Sequence, residues 1–244
     1  MKKPLSLTVH RNDSLARVER SIALTDKLLS KIDETVTDID GNVYKTVKIG
    51  DQIWMAENLK VTHYRNGDPI PTGFSDEDWD NLNIGAYCYY NDDSKNIDAY
   101  GNLYNWYAVD DDRGICPESW HVPTDEEWIE LEINLGMSYE EAHGRHLRGT
   151  NQGSQLAGNT DQWNSGDLKN NPCFGSSGFL AVPSGQRDCY GCSYSGIGNY
   201  GSFWSSTVNI NSNAWSRILS YWGSEVIRNY GNKMQGNSIR CIRD

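Results

Sequence analysis

Gly185-Gln-Arg-Asp-Cys-Tyr-Gly-Cys-Ser-Tyr-Ser-Gly-Ile-Gly-Asn-Tyr-Gly-Ser-Phe-Trp-Ser-Ser-Thr207, then Ala214-Trp-Ser-Arg217 and Gly236-Asn-Ser-Ile-Arg-Cys-Ile-Arg-Asp244, form a frame of Gly, Trp, Ser and Arg filled with Asn, Tyr and Ser. Tyr offers a large, stiff, amphipathic contact surface, while Ser, Gly and Asn add adaptable hydrogen bonding at little ordering cost. Antibody-like paratopes are built from this combination. Few acids, bases or nucleophiles interrupt the run. Its composition suits contact better than chemistry.

Working outward, short apolar pieces at 179–182, 203–204, 214–215 and 238–242 alternate with Gly and Asn turns, and no helix pattern is visible after residue 150. Upstream, Trp120-His-Val-Pro-Thr-Asp-Glu-Glu-Trp128 carries a capping box, Thr124 with Glu127, and acids in the first turn that suit the helix dipole. Trp128, Leu131 and Leu135 share the face of that helix, and Gly136 ends it. Residues 43–49 alternate, Gly50-Asp51 turns and 52–54 return, which predicts a hairpin. Residues 62–84 read as loop, 85–90 as a short strand, and the aromatic run 102–108 as strand or helix. Residues 33–38 read as a linker.

Residues 12–34 give the one long amphipathic helix signal, capped by Asp13 or Ser14. Leu15, Val18, Ile22, Thr25, Leu29 and Ile32 follow the 3-4 spacing of a coiled-coil seam that would suit a dimer or trimer. A helix packed on its own domain is the other reading of the same spacing.

The 244 residues suit one domain with a small appendage. Twenty-two Lys and Arg against thirty-three Asp and Glu leave a net charge of −11, which argues against a nucleic-acid partner and disfavours anionic membrane. No apolar run approaches the ~18 residues of a membrane span. The N-terminus starts like a secretory signal but shows neither a long apolar core nor a small-residue cleavage site. The expectation is a removed leader, or release by another route such as lysis. Nine Trp and fourteen Tyr against four Phe predict a core threaded with hydrogen bonds from ring N–H and O–H groups. The six Cys fit no zinc spacing, and their even number permits three bridges without demanding any.

Asp40-Gly-Asn-Val-Tyr44, Ile49-Gly-Asp-Gln-Ile-Trp-Met-Ala-Glu-Asn-Leu59, Gly101-Asn-Leu-Tyr-Asn-Trp-Tyr107, Ile115-Cys-Pro-Glu-Ser-Trp-His-Val-Pro-Thr-Asp-Glu-Glu-Trp128, Phe203-Trp-Ser-Ser-Thr207 and Ser238-Ile-Arg-Cys-Ile-Arg-Asp244 together resemble the Fibrobacter succinogenes major paralogous domain. The motifs run in order from about residue 38 to the end and leave residues 1–37 uncovered. The resemblance implies an α+β, C-type-lectin-like domain near the formylglycine-generating enzymes, with short twisted antiparallel sheets, few helices and long loops. In related domains the C-terminal part presents variable, solvent-facing positions on a rigid scaffold.

The expected contact surface comprises Asp188, Tyr190, Tyr194, Asn199, Tyr200, Asn209, Asn211, Asn213, Tyr221, Trp222, Asn229, Tyr230 and Asn232, with Trp204, Trp215, Arg217, Gly236 and Arg240 as buried supports. The plainer reading of each Asn is a turn holder. Cys189-Tyr-Gly-Cys192 carries the alternative, an oxidoreductase of the formylglycine-generating type, although glycines in place of a helix start favour a structural bridge or inert thiols. His143-x-x-His146, with His63 and His121, could in principle ligate a metal; surface histidines are the plainer reading, with His121 a core hydrogen-bonding residue. No cofactor is expected. Calcium is the alternative, with Asp110, Asp111 and Asp112 as first choice of ligands over Asp76–Asp78 and Asn91–Asp93. Cys116 and Cys241 both stand in motifs of the resemblance, and a bridge between them is offered as a conjecture. The expectation is a ligand-binding domain at 38–244 on an N-terminal segment at 1–37, recognising a cell-surface glycan or protein from a phage virion or a bacterial surface.

Overall fold

Thr35–Thr37 (β1) pairs antiparallel with Val43–Ile49 (β2), which turns through Gly50-Asp51 into Gln52–Met55 (β3). The hairpin is the expected one, and Gly50 takes φ +61°, the left-handed value the first turn position requires. β1 lies inside the stretch read as linker; its Thr-Val-Thr sequence suits a pleated edge. The structure is a computed structural model that describes residues 34–189, 191 and 193–244, of which Thr35–Asp244 form one compact unit. The helix and coiled-coil readings of 12–34 fall outside the described residues, apart from Glu34.

Tyr87–Cys88 (β4) and Leu103–Tyr104 (β5) form a two-stranded ribbon. The aromatic run at 102–108 is therefore both strand and helix: β5 is followed by a one-turn helix, Trp106–Val109, capped by the Asn105 side chain. Trp120–His121 (β6) leads into helix Asp125–Asn134, where both halves of the predicted capping box are made. Gly136, with φ +95°, follows its end. Then come His146–Arg148 (β7), Ser184–Arg187 (β8), Tyr194–Ile197 (β9), Tyr200–Ile210 (β10), Asn213–Ser220 (β11), Val226–Asn232 (β12) and Ile242–Arg243 (β13). One sheet has the order β1-β2-β3-β13-β6, the other β7-β12-β11-β10-β8-β9. β13 pairs with both β3 and β6, so the end of the chain closes the sheet that its first strands began.

Three expectations are corrected. Helices do occur after residue 150, at Gln152–Leu156 and Asp167–Asn170, but each is too short to display a 3.6-residue period. The loop at 62–84 holds a one-turn helix, Asp76–Trp79, capped by Ser75. Between 200 and 232 the chain forms long strands rather than short pieces, because its Gly and Asn residues sit inside the ladders. At Gly231 a Cβ would come within 3.0 Å of the Trp204 ring and would displace the end of the Gln235 side chain, so this glycine sits packed inside a ladder and not in a turn.

The sheets share a core in which two large apolar clusters meet, one around Trp106 and Trp204, the other around Trp54, Trp128 and Phe179. Indole N–H groups thread it as expected. Trp79 donates to the Met234 carbonyl, Trp106 to Ser205, Trp128 to Trp204, Trp163 to Gly158 and Trp204 to Tyr104, at 2.7 to 3.4 Å. Cys116 and Cys241 form a disulfide in this core, as conjectured. The architecture is α+β, with mostly antiparallel sheets and short helices.

Candidate functional site

β11 and β12 are in register as Asn213↔Asn232, Trp215↔Tyr230 and Arg217↔Arg228. Side chains two apart on a strand share a face, so these three pairs are successive rungs on one face of the sheet. The innermost rung is buried and ionic. Arg217 reaches Asp125 at 2.6 Å and Glu132 at 2.7 Å, Arg228 reaches Asp125 at 2.6 Å, and Arg148 on β7 reaches Glu132 at 2.6 Å. Asp125 and Glu132 are i and i+7 on the Asp125–Asn134 helix, so the helix docks on the sheet through a charged stripe beside its apolar one. Burial would raise the Asp125 pKa, but Arg228 and Arg217 outweigh it and hold the carboxyl below its ordinary range. Two carboxylates face three guanidinium groups.

The middle rung is aromatic and half-buried. The Trp215 and Tyr230 rings meet edge-on, centroids 6.0 Å apart. Arg228 stacks on Trp215 at 4.0 Å, linking this rung to the ionic layer. The exposed Arg145 lies 4.6 Å from the Tyr230 centroid and 5.8 Å from that of Trp215. Among the described residues Arg145 forms no ion pair. Trp215, expected as a buried support, is thus part of the surface, since its rung lies past the helix that covers Arg217. Trp204, Arg217, Gly236 and Arg240 are buried as expected. The outer rung presents Asn213 and Asn232, beside the β10–β11 turn that carries Asn211; Asn232 also accepts from the Met234 N–H at 3.0 Å.

Asn209, Asn211, Asn213, Tyr230 and Asn232 therefore gather at one end of the sheet. Asn229 neighbours Tyr230 but points to the opposite face, paired across from Ser216. Asp188, Tyr194, Asn199, Tyr200, Tyr221 and Trp222 lie at the other end, about 30 Å away along eleven-residue β10 at ~3.3 Å per residue. Most of these are structural. The Tyr194 hydroxyl bonds Asp92 at 2.7 Å, and Asp188, Ser195 and Tyr200 form a hydrogen-bonded chain. Asn199 accepts from Asn164 and from the Tyr221 N–H, as a turn holder does. Trp222 is 51 % exposed. Tyr190 is outside the described residues.

Arg145 and Arg228 escaped the reading of the sequence. Arg228 is two residues from Tyr230, so strand alternation alone would have put them on one face. Arg145 sits in a loop, and no local pattern distinguishes it.

Among the described residues, the remaining candidates are not brought together into a site. Burial raises the Cys189 pKa and the Asp80 and Asp188 charges add to it, which opposes a reactive thiolate; Cys192 lies outside the described residues. His143 donates to the Tyr139 carbonyl, His63 pairs with Asp40, and His121 bridges Asp244 and Glu127. His121 is half-exposed, at the rim of the sheet rather than in the core. Asp111 is paired with Arg113 at 2.8 Å, and Asp110 and Asp112 are exposed. Among the described residues no group of three or more His, Cys, Asp or Glu side chains is placed to hold a metal ion, and no helix is long and apolar enough to cross a membrane.

Fold and surface define a class: a loop-rich α+β domain with a buried ionic layer under a graded aromatic and amide face. The model of the Fibrobacter succinogenes major domain matches residues 47–243, and the chain belongs to that family. No curated protein and no solved structure matches it.

Proposed function

We propose that the protein is a non-enzymatic binding domain whose contact face is built on Trp215, Tyr230 and Arg145, with the amides of Asn211 and Asn213 at its margin. The observation that carries this reading is the half-exposed Trp215–Tyr230 pair with an exposed guanidinium over it. Trp, Tyr and Arg dominate binding hot spots, because they combine large apolar area with directional polar groups. The partner is a cell-surface glycan, stacking on the rings, or a surface protein that buries them. The scaffold is read as C-type-lectin-like, which the α+β architecture with long loops supports. The setting is a phage virion or a bacterial surface; the Cys116–Cys241 bridge favours an oxidising compartment. Residues 12–34 would assemble two or three copies, adding avidity to a weak contact.

The test is a screen against glycan and bacterial surface-protein panels with the native chain and R145A/W215A/Y230A. A specific ligand should lose about 30-fold or more in affinity with the triple variant, the equivalent of ~2 kcal/mol. Equal binding by both chains would refute the assignment of this face.

A further inference from the structure

A cleft of about 370 Å³ opens where the chain leaves β3, beside the Ile97–Tyr100 helix and residues 180–182. Arg240 lines it from beneath and is itself wholly buried. Its Nε donates to Asn58 Oδ1 at 2.6 Å, Nη1 to the Met55 and Phe179 carbonyls at 3.1 and 2.5 Å, and Nη2 to the Leu180 carbonyl at 2.9 Å. These bonds use four of the five N–H groups of a guanidinium. No carboxylate among the described residues lies within ion-pair distance of it. A buried cation without a contacting anion is costly, and its charge is felt in the cleft above.

The walls carry further charge. Lys45, Lys60 and Glu57 line the cleft, the Glu57 carboxylate accepting from the Lys45 backbone N–H at 3.1 Å, and Asp98 lines it from the Ile97–Tyr100 helix. Three cations against two carboxylates leave a lining of net +1 in a chain of net −11. Leu180, whose carbonyl Arg240 holds, has φ +55°, a left-handed conformation that is strained for a leucine, and neighbouring Asn159 has φ +56°. Strain of this kind persists where the surroundings over-determine the backbone, and it concentrates at ligand clamps.

We infer that this cleft binds a hydroxylated monocarboxylate of monosaccharide size, a uronic acid being the type. The carboxylate would sit toward Lys45, Lys60 and Arg240, while Glu57 and Asp98 accept from hydroxyl groups. A single negative charge matches the net lining. A phosphate dianion would meet two carboxylates, and a zwitterionic amino acid would leave the excess cation unmatched. The site shares no residue with the Trp215–Tyr230 face and stands or falls separately from it.

Isothermal titration of the full chain with sodium glucuronate, glucose, alanine and inorganic phosphate tests the inference. Glucuronate should bind at least about tenfold more tightly than the other three. K45A/K60A, which alters two side chains at the cleft's edge and leaves Arg240 in place, should weaken glucuronate by about tenfold with an unchanged circular dichroism spectrum. R145A/W215A/Y230A should bind glucuronate as the native chain does. No saturable binding, equal binding of glucose, preference for alanine or phosphate, or indifference to the lysine substitutions would each overturn it.

Discussion

His121 holds two carboxylates at once, Asp244 at 2.6 Å through Nδ1 and Glu127 at 2.8 Å through Nε2. Burial alone would lower its pKa, but the two hydrogen-bonded carboxylates prevail and raise it above the ordinary value. A group whose folded-state pKa is raised binds its proton more tightly when folded. Its contribution is therefore complete below the unfolded pKa, about 6.5, and is lost as pH climbs through the folded value. Urea denaturation of the native chain and of His121→Gln at a series of pH values from about 6 to 9 should show a stability difference that is largest at the acid end of the series and shrinks as pH rises. A difference independent of pH across that range would mean that packing, and not charge, makes the residue useful.

At the scale of elements, the docking of helix Asp125–Asn134 on the β11–β12 pair depends on charge as well as on Trp128 and Leu131. Arg217 is 1 % exposed and satisfies one oxygen from each of Asp125 and Glu132. Arg217→Met would leave each acid with a single guanidinium partner, Arg228 and Arg148 respectively, in a buried site. Breaking a buried ionic cluster from one side costs about 3–5 kcal/mol, far more than the pairs contribute net. Equilibrium unfolding in urea should register that loss; one below about 1 kcal/mol would show that the layer relaxes or admits water. This layer also marks how far the sequence could be read. The capping box at Thr124 and Glu127, the Gly50 hairpin and the indole-threaded core follow from local chemistry, and all are present. Asp125 reads locally as a first-turn acid facing water. Only β11 and β12, some ninety residues later, turn it into a buried ligand of two arginines. The contact face was legible in part for the same reason. Tyr230, Asn213 and Asn211 stand out by composition, whereas register brings Trp215, Arg228 and the loop residue Arg145 to them. Register also sends Asn229 to the other face and leaves Tyr194 and Asn199 in structural roles.

Over the whole molecule, the Cys116–Cys241 bridge has the longest reach of any covalent constraint among the described residues, spanning 125 positions. Cys116 precedes β6 and Cys241 precedes β13, the two strands that pair beside it, so the bridge fastens the sheet where the last segment returns to the first. Both residues are buried, at 3 % and 0 % exposure. Closing a loop of this length in the unfolded chain removes entropy equivalent to about 4–5 kcal/mol in the simple chain model, and measured losses on removing native bridges run ~2–5 kcal/mol. The β13 ladder is short, holding β3 at one register pair and β6 at two, and the Arg240 hydrogen bonds and the His121–Asp244 contact secure the same segment without a covalent link. C116A/C241A should therefore lower the guanidinium midpoint by an amount corresponding to about 2–5 kcal/mol. C173A, which removes a free half-buried thiol, is the control and should change it little. The native chain with reductant should approach the double variant, slowly, because the sulfurs are covered. If the double variant melts with the native chain, the two sheets and their tryptophan core hold the closure by packing alone.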